Sequence, residues 1–365
     1  MPDSSPTPTF PPNLPLAPLT VISYTKLLAN DVIESSNLLS ACQNQGFFHL
    51  DLSSSSTGAS LLSQSSQLYT LARSLFALPL ETKQQFALQK GVSLFGYKPA
   101  GTVKATDPTH HPDSTEFFNI GKDDLFLSPP GSDVLTKKYP LEIQPHLPLL
   151  KSFTANCHAL ATELLIILAR ELGLSSNTAL VNLNNFNQSS GDHIRLTHTT
   201  IHGGGSSSSS DKQSIGLPSH TDFGTVTILF NWQAGLQIES ATATGQWEWV
   251  KPLPGHAIVN LGDAMKIFTN GHLKSAKHRV VPLPTAHGSR KTADRYSVVY
   301  SIRPNNNVLM KAVDKFEHAG ETQVKVAGKF VPALLGETGG RDNNDKKQVL
   351  TAGEWMVQRA VQLGN

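Results

Sequence analysis

The sequence has little cysteine, almost no surplus of charge and no long apolar run. Its two cysteines, Cys42 and Cys157, lie far apart and outside any CxxC spacing. This argues against a disulfide framework or a cysteine zinc site and favours an intracellular location. The 30 Lys and Arg residues and 28 Asp and Glu residues leave a formal charge of +2 with no basic stripe. Nucleic acid is therefore not an expected partner.

Segments that suit a membrane are also scarce. Residues 1–18 are rich in Pro and Ser and lack the apolar centre of a signal peptide. The longest apolar stretch, Leu160–Leu174, is interrupted by charged residues and is too short to cross a bilayer. Its apolar residues recur at helical spacing before Gly173, which predicts an amphipathic helix on a protein core. We expect a cytoplasmic protein with no membrane partner.

The pattern of the chain changes near its middle. Residues 1–18 are interpreted as an extended arm and residues 19–150 as an N-terminal segment with lid loops, in which Val21–Leu50 is predicted as strand, helix and strand. Residues 151–365 begin with a helix and continue as short strand-like runs between Gly and Pro turns, typical of a sandwich or jelly roll. Within them, the Ser- and Gly-rich residues 202–216 are predicted as a flexible insertion. All of these parts are expected to form one structural unit.

Two side chains that can bind a metal precede a predicted strand in LPSHTDFGTVTILF. His220 and Asp222 are two residues apart, and in a strand such residues share one face. Of the 14 histidines, His278 is the best third ligand because an alternating apolar run follows it. Two His and one carboxylate form the facial triad of non-haem Fe(II) oxygenases, which leaves positions open for a co-substrate and O2. The alternative is that the HxD motif is an ordinary surface turn.

A second pair of residues suits an anion. Arg295 and Ser297 in DRYSVVYSIRP are predicted to share one strand face. An inward-facing Arg is costly unless it meets an anion, and its guanidinium binds a carboxylate through two parallel hydrogen bonds. A dicarboxylate such as 2-oxoglutarate fits, with its keto-acid end on iron and its far carboxylate on this pair. The alternative is an ordinary salt bridge to Asp294 or Glu239.

Together these motifs resemble the isopenicillin N synthase-like branch of the Fe(II)/2-oxoglutarate-dependent dioxygenase superfamily. The similarity covers nearly the whole chain, through ACQNQGFFHL, ARSLFALPLETK, GLPSHTDFGTVTILF, GLQIES, AIVNLGDAMKIFTNGHLKSAKHRVV, RYSVVYSIRP and GEWMVQRA. The resemblance implies a mainly β protein with flanking helices around a double-stranded β-helix, a cupin-like jelly roll. It implies His220, Asp222 and His278 as iron ligands, with Arg295 and Ser297 holding 2-oxoglutarate.

One stretch departs from the family pattern. Where the family usually has Tyr followed by Pro before the HxD motif, this chain has Thr199 and Thr200. That tyrosine often contacts the co-substrate, so Thr199 is the candidate replacement. This departure and the Ser-rich insertions suggest a fungal enzyme of secondary metabolism.

The resemblance implies an oxidoreductase that uses Fe(II), 2-oxoglutarate and O2, with ascorbate as a reductant, and acts on a small molecule. Succinate and CO2 would be released as a C–H bond is oxidised by hydroxylation, desaturation, cyclisation or oxidative decarboxylation. One alternative is an oxidase of the same fold whose Arg295 and Ser297 bind the substrate's own carboxylate. Another is a non-catalytic metal-binding protein, and a zinc hydrolase is disfavoured because no general base stands beside the triad. A monomer is the expectation from the family.

Substrate contacts are expected next to the triad and in the lid loops. Phe223 follows the HxD motif, and Tyr97 and Phe117 are further aromatic candidates, with core packing as the alternative for each. Lys98 and His198 are candidates to bind a carboxylate or an enol. The predicted substrate is small and partly apolar, and an acid is among the options.

Four other polar residues are given lesser roles. His110 and His111 are interpreted as loop residues and His272 as a turn residue that ranks below His278 as a ligand. Asp263, in NLGD, is interpreted as a turn residue or as a support for the metal ligands.

Overall fold

A computed structural model describes residues 13–89, 93–102, 113–129, 131–200, 215–281, 294–317, 324–326, 329–331 and 349–362. The strands in these residues are β1 (Val21–Ser23), β2 (Phe47–Asp51), β3 (Gly96–Lys98), β4 (Thr115–Gly121), β5 (His193–Thr199), β6 (Leu217–His220), β7 (Val226–Asn231), β8 (Leu236–Glu239), β9 (Trp247–Trp249), β10 (His256–Leu261), β11 (His278–Val280), β12 (Arg295–Ile302), β13 (Val324–Val326) and β14 (Lys329–Val331). The α-helices are α1 (Tyr24–Leu28), α2 (Val32–Asn44), α3 (Ser56–Phe76), α4 (Leu80–Gln84), α5 (Lys122–Phe126), α6 (Val134–Lys138), α7 (Leu147–Glu171), α8 (Asp263–Phe268), α9 (Asp314–Glu317) and α10 (Ala352–Gln362).

Two sheets form the centre of the fold. The larger has the strand order β1-β2-β10-β7-β12-β5-β4-β3 and the smaller has the order β6-β11-β8-β9. All neighbouring pairs in both sheets are antiparallel except β1 and β2. A small apolar core joins the inner faces of the two sheets and includes Phe47, Leu229 and Ile258 from the larger and Leu236 and Ile238 from the smaller. This is the predicted sandwich, with many pairings between strands distant in sequence.

The outer face of the larger sheet is covered by helices. The main core contains buried residues of α2, α3 and α7 packed with alternate residues of the central strands. The segment Leu141–Glu171, which includes α7, is long and apolar enough to cross a membrane by length and composition. However, 61% of its apolar 18-residue stretch is buried inside the protein. It is therefore placed as a core helix, as the amphipathic pattern predicted. Gly173, with φ of +63°, follows its end.

Some sequence predictions lie outside the described residues. These are residues 1–12 of the Pro-rich arm, His110 and His111, and residues 202–214 of the predicted insertion. The described end of the arm is extended: Leu16 forms a parallel bridge with Trp249, and the Ala17 amide donates to the Trp249 carbonyl at 2.9 Å. It thus adds to the edge of the smaller sheet beside β9.

Gly46 offers a test of the connection from α2 to β2. Its φ is +72°, and an added Cβ would lie 2.3 Å from the Lys274 carbonyl oxygen. We expect Gly46→Ala to reduce the free energy of unfolding by about 2–4 kcal/mol, the sum of left-handed strain and overpacking. Gly245→Ala is the matched control, since its φ is +83° with nothing within 4 Å of an added Cβ, and should cost about 1 kcal/mol. Urea denaturation of both variants checks this, and equal losses would contradict the packing argument.

Candidate active site

The three predicted metal ligands meet at one point between the sheets. His220 ends β6 and pairs across the ladder with His278, the first residue of β11. Asp222 lies in the loop after β6, so the prediction that His220 and Asp222 share a strand face was wrong in detail. The strand ends and the loop brings the carboxylate back: Asp222 Oδ1 is 3.9 Å from His220 Nε2 and 3.7 Å from His278 Nε2. One ligand atom of each residue lies within 4.8 Å of the others.

Hydrogen bonds direct the free atoms of these three side chains toward each other. Nδ1 of His220 lies 2.9 Å from the Pro218 carbonyl and Nδ1 of His278 lies 3.2 Å from the Ala276 carbonyl. A carbonyl only accepts, so each Nδ1 donates and each Nε2 keeps a free lone pair. Asn260 Nδ2 donates to Asp222 Oδ2 at 2.8 Å, which leaves Oδ1 facing the imidazoles. Two imidazoles and one carboxylate are a suitable donor set for a divalent metal.

The charge states of the site suit metal binding. Burial, and next the neighbouring His278, lower the pKa of His220 to about 4. Burial raises the pKa of Asp222, but His278, His220 and the hydrogen bond from Asn260 lower it more, so its net pKa is well below the ordinary value. At neutral pH His220 is therefore unprotonated and Asp222 is ionised, the forms that coordinate metals.

The HxD loop is held by α8 and by the C-terminal helix. Asp263, the first residue of α8, accepts hydrogen bonds from the Thr221 hydroxyl at 2.9 Å and the Arg359 guanidinium at 2.7 Å. An added Cβ at Gly262 would lie 2.2 Å from the Gly224 carbonyl oxygen, so the loop and α8 approach as closely as backbones allow. Asp263 therefore supports the ligands, one of the two interpretations that the sequence left open.

Arg295 and Ser297 lie on the inner face of β12, as predicted. Arg295 is 3% exposed and its buried Nε has no hydrogen-bond partner. Burial lowers the Arg295 pKa to about 10, so it stays charged at neutral pH. Arg295 forms a salt bridge with neither Asp294 nor Glu239, the two alternatives from the sequence. Asp294 instead lies 3.4 Å from His198, and Glu239 lies 3.8 Å from Lys277. A buried guanidinium without an anion fits the carboxylate of a ligand.

Two threonines of β5 stand opposite this pair. Thr199 is in register with Arg295, and its hydroxyl is 2.8 Å from the Thr115 hydroxyl. Thr197 is in register with Ser297, and their hydroxyls are 2.5 Å apart. Thr199 thus lies opposite Arg295, and Thr197 is a neighbour of this pair that the sequence reasoning missed.

Three of the predicted substrate residues lie on the inner side. Phe223 is half-buried beside Asp222, with its ring 6.1 Å from that of Trp355. Phe117 and Lys98 are paired on β4 and β3, and the Lys98 ammonium lies 5.6 Å from the Phe117 ring centre. The Lys98 ammonium is already bound to Asp113 and to the Thr115 carbonyl, so it has a fixed counter-ion inside the protein.

The other two predicted substrate residues, Tyr97 and His198, lie on the opposite face of the larger sheet. Both bind Glu116: the Tyr97 hydroxyl donates at 2.5 Å and His198 Nδ1 lies at 2.8 Å. The His198 ring also lies 5.6 Å from Phe76 of α3. The cause is strand alternation, because His198 and Tyr97 differ by one position from the inward-facing Thr199 and Lys98. We therefore leave them out of the proposed substrate site.

His272 is placed as the sequence suggested. Its Nδ1 lies 2.8 Å from the Thr269 carbonyl in the turn after α8, and its ring packs 4.5 Å from that of Phe316. It does not belong to the cluster of His220, Asp222 and His278.

Two arginines near the triad, the half-buried Arg195 and the buried Arg303, were missed by sequence reasoning. Arg195 lies on β5 with its Nε donating to Asn119 Oδ1 at 2.8 Å, and Arg303 follows β12 and is 5% exposed. Both are close enough to Asp222 for its carboxylate to raise their pKa values, although burial, the larger effect, lowers them. The signal was present: in HIRLTHT, Arg195 alternates with Thr197 and Thr199, as Arg295 does with Ser297.

Asn260 provides a test of how the carboxylate ligand is oriented. We expect Asn260→Leu to weaken Fe(II) binding about tenfold or more, because Asp222 Oδ2 loses its donor and the carboxylate can rotate. Asn156→Leu is the control, since Asn156 donates to Gln64 on the helical side of the protein. Anaerobic Fe(II) titration of metal-free protein measures both. Wild-type affinity in Asn260→Leu would show that this hydrogen bond does not orient the ligand.

The hydrogen-bonded cluster of Glu116 with His198, Lys83 and Tyr97 can be tested for a structural role. Burial raises the Glu116 pKa, but hydrogen bonds from His198, Lys83 and Tyr97 lower it more, to a net value below 4.5. Its stabilising effect is therefore complete above the unfolded-state pKa and is lost as the pH falls through the folded-state pKa. We expect Glu116→Gln to cost about 2–4 kcal/mol at pH 7 and less in acid.

The exposed Glu81 supplies the control for this test. Urea denaturation of Glu116→Gln and Glu81→Gln at pH 7 and in acid gives the comparison. A loss for Glu116→Gln that does not shrink in acid would contradict the assigned charge state.

Comparisons with known proteins agree with this geometry. The profile of the 2OG-Fe(II) oxygenase superfamily matches residues 191–304, and an N-terminal profile described as non-haem dioxygenase in morphine synthesis matches residues 19–140. A 2-oxoglutarate-dependent dioxygenase of Aspergillus fumigatus is 30% identical over 336 residues, which cover 85% of this chain and 81% of the relative. Another, of Gibberella zeae, is 32% identical over 305 residues, covering 82% and 84%.

Solved structures share the fold. Full-length T7H of Neurospora crassa in complex with alpha-KG has a TM-score of 0.68 at 21% identity, covering 94% of this chain and 96% of that one. A 2OG-Fe(II) oxygenase family protein of Caulobacter crescentus has a TM-score of 0.68 at 22% identity, covering 95% and 99%. The predicted jelly roll with flanking helices is confirmed, as is the prediction of a fungal-type oxygenase. The chain belongs to the 2OG-Fe(II) oxygenase superfamily and is an oxidoreductase that uses Fe(II), 2-oxoglutarate and O2.

Proposed function

We propose that His220, Asp222 and His278 hold the Fe(II) and that Arg295 and Ser297 bind the far carboxylate of 2-oxoglutarate. The observation that carries this proposal is the buried Arg295 guanidinium, which has no anion partner in the described chain and shares the inner side with the triad. Thr199 and Thr197, opposite the pair, are the neighbouring hydroxyls that can complete the carboxylate site.

Each residue of this chain then has a positioning task. The Pro218 and Ala276 carbonyls fix the imidazoles of His220 and His278, and Asn260 fixes the Asp222 carboxylate. When bound, the iron supplies O2 activation coupled to decarboxylation of 2-oxoglutarate to succinate and CO2. Arg295 balances the charge of the co-substrate and needs no proton transfer, because its pKa stays far above neutral pH.

We propose a small, partly apolar secondary metabolite as the substrate, with a C–H bond oxidised by hydroxylation, desaturation, cyclisation or oxidative decarboxylation. Phe117 and Phe223 supply apolar walls on the inner side, and Trp355 and Arg359 of α10 pack against Phe223. These aromatic and cationic side chains shield the centre from water. We further propose that the enzyme acts as a cytoplasmic monomer, with ascorbate as an optional reductant.

A second candidate keeps the iron but assigns Arg295 and Ser297 to the carboxylate of the substrate itself. The same unpartnered guanidinium favours it, because a guanidinium does not distinguish one carboxylate from another. Stoichiometric succinate formation separates the two functions, since only the first one consumes 2-oxoglutarate.

The test is an anaerobic titration of the Fe(II)-loaded protein with 2-oxoglutarate, followed by the visible iron-to-ketoacid band. We expect saturation in the wild type and a Kd at least about 30-fold higher in Arg295→Gln, because losing a buried charge pair costs about 2 kcal/mol or more. Arg73→Gln, at an exposed site on α3, is the control and should behave as wild type.

Other outcomes of this titration reassign the site. Fe(II) binding without the visible band would support the second candidate, in which Arg295 binds the carboxylate of the substrate. Loss of Fe(II) binding in His278→Ala but not in His272→Ala is expected. The opposite pattern would refute the assigned third ligand.

A further inference from the structure

The inner side of the larger sheet holds more positive charge than 2-oxoglutarate requires. Three arginines, Arg195, Arg295 and Arg303, lie at inward-facing positions of β5, of β12 and just after β12. Arg295 is assigned to the co-substrate by the proposed function. Arg195 and Arg303 are both close enough to Asp222 for its carboxylate to raise their pKa values. Arg195 is also close enough to Arg303 to lower the pKa of Arg303.

Arg195 is held in place with one edge free. Its Nε donates to Asn119 Oδ1 at 2.8 Å, and Asn119 is itself fixed because its Nδ2 donates to the Leu94 carbonyl at 2.7 Å. The Arg195 guanidinium lies over the Phe117 ring at 4.4 Å. Its two terminal nitrogens have no hydrogen-bond partner within the described residues. That pair of nitrogens is the edge that matches the two oxygens of a carboxylate.

Arg303 is a second positive charge near Arg195 and does not neutralise the first. Its Nη1 contacts Met356 Sδ at 3.2 Å, and its Nε is buried without a partner. Among the described residues, neither Arg303 nor Arg195 forms an ion pair with an Asp or Glu side chain. Burial lowers the Arg303 pKa to about 10, with the nearby Arg195 as the next cause. Two like charges in a buried site are costly unless an anion lies between or beside them.

A count of formal charges points to one missing anion. Fe(II), the Asp222 carboxylate and the dianion of 2-oxoglutarate sum to −1, which Arg295 balances. Lys98 is balanced by Asp113. Asp192 accepts a hydrogen bond from the Arg303 backbone amide at 2.7 Å, and its carboxylate, like that of Asp222, raises the pKa of Arg303. Within the part of the chain that the structure describes, Arg195 remains without an ion-pair partner.

Arg195 and Arg295 lie too far apart to share one carboxylate. In the ladder Arg195 is opposite Val299, four residues from Arg295 along β12, a separation of about 13 Å along the strand. The charge at Arg195 is thus available to a second molecule beside the co-substrate. Phe117 under the guanidinium and Phe223 beside Asp222 offer that molecule apolar surface.

We propose that the prime substrate carries a carboxylate on an apolar body and that Arg195 binds this carboxylate through its two terminal nitrogens. Asn119 and Phe117 are positioning residues that hold the guanidinium. This inference rests on the proposed function and specifies its substrate class. The Lys98 and His198 side chains, the candidates from the sequence, are already bound to Asp113 and Glu116.

A matched pair of probes tests the proposal: 3-phenylpropanoate and its neutral amide, 3-phenylpropanamide. Each is titrated anaerobically into protein loaded with Fe(II) and 2-oxoglutarate, with calorimetry for affinity and the visible band as a spectroscopic readout. In the wild type the acid should bind at least about tenfold more tightly than the amide. In Arg195→Gln the ratio should fall to about threefold or less, while the Kd for 2-oxoglutarate changes by less than about threefold.

Two further variants sharpen the result. Arg195→Lys keeps the positive charge but loses the paired donors of the guanidinium, so part of the preference for the acid over the amide should remain. Arg73→Gln, the exposed control, should keep all of it. Thermal unfolding of each variant, together with its 2-oxoglutarate band, verifies that the site is folded.

Several results would overturn the proposal. One is equal affinity of the wild type for 3-phenylpropanoate and 3-phenylpropanamide, which includes the case that neither binds at millimolar concentration. Another is an unchanged preference in Arg195→Gln. A third is competition between the acid and 2-oxoglutarate that disappears in Arg295→Gln, which would place the acid on Arg295. Absence of the 2-oxoglutarate band in the wild type would instead refute the proposed function and, with it, this inference.

Discussion

The pairing of β12 with β5 and β7 determines which side chains meet inside the sandwich. Its register puts Arg295 and Ser297 on the inner side opposite Thr199 and Thr197 of β5, with Arg195 on the same face opposite Val299. A shift of one residue would exchange these polar groups for the apolar residues that now pack under α3 and α7. The same ladder therefore places the helical core on one face and the proposed anion-binding residues on the other. Buried guanidiniums are tolerated here because the cooperative sheet and its core hold them in place.

The cluster of His220, Asp222 and His278, the proposed iron ligands, is oriented by local hydrogen bonds within this sandwich. Each imidazole is oriented by a carbonyl two residues earlier in its own strand or turn, and the carboxylate by a neighbouring strand through Asn260. Such supports keep the ligand atoms in place before any metal arrives. They also explain why Asp222 can lie in a loop: the close contact of Gly262 with Gly224 and the hydrogen bonds to Asp263 restrain it.

Most of the fold and the polar cluster could be predicted from the sequence, because each depends on a local pattern. Alternation located the strand of Arg295 and Ser297, and spacing located the HxD pair. Alternation alone could not say which face of β3, β4 and β5 was inward, so Tyr97 and His198 were grouped with Phe117 and Lys98. The roles of Asn260, Asn119 and Arg359 depend on contacts between segments far apart in the chain, and no spacing encodes those contacts.

The hydrogen bond between Arg359 and Asp263 has a consequence for how the site is assembled. Groups on the inner side come from β3 and β4 near the start of the chain, while Arg359 and Met356 come from its last helix. During synthesis β3 and β4 can pair with β5 early, but Arg359 and Met356 reach the site only when nearly the whole polypeptide has left the ribosome. The hydrogen bond from Arg359 to Asp263 is thus formed last, so a chain cut short before α10 would contain the triad but lack this support.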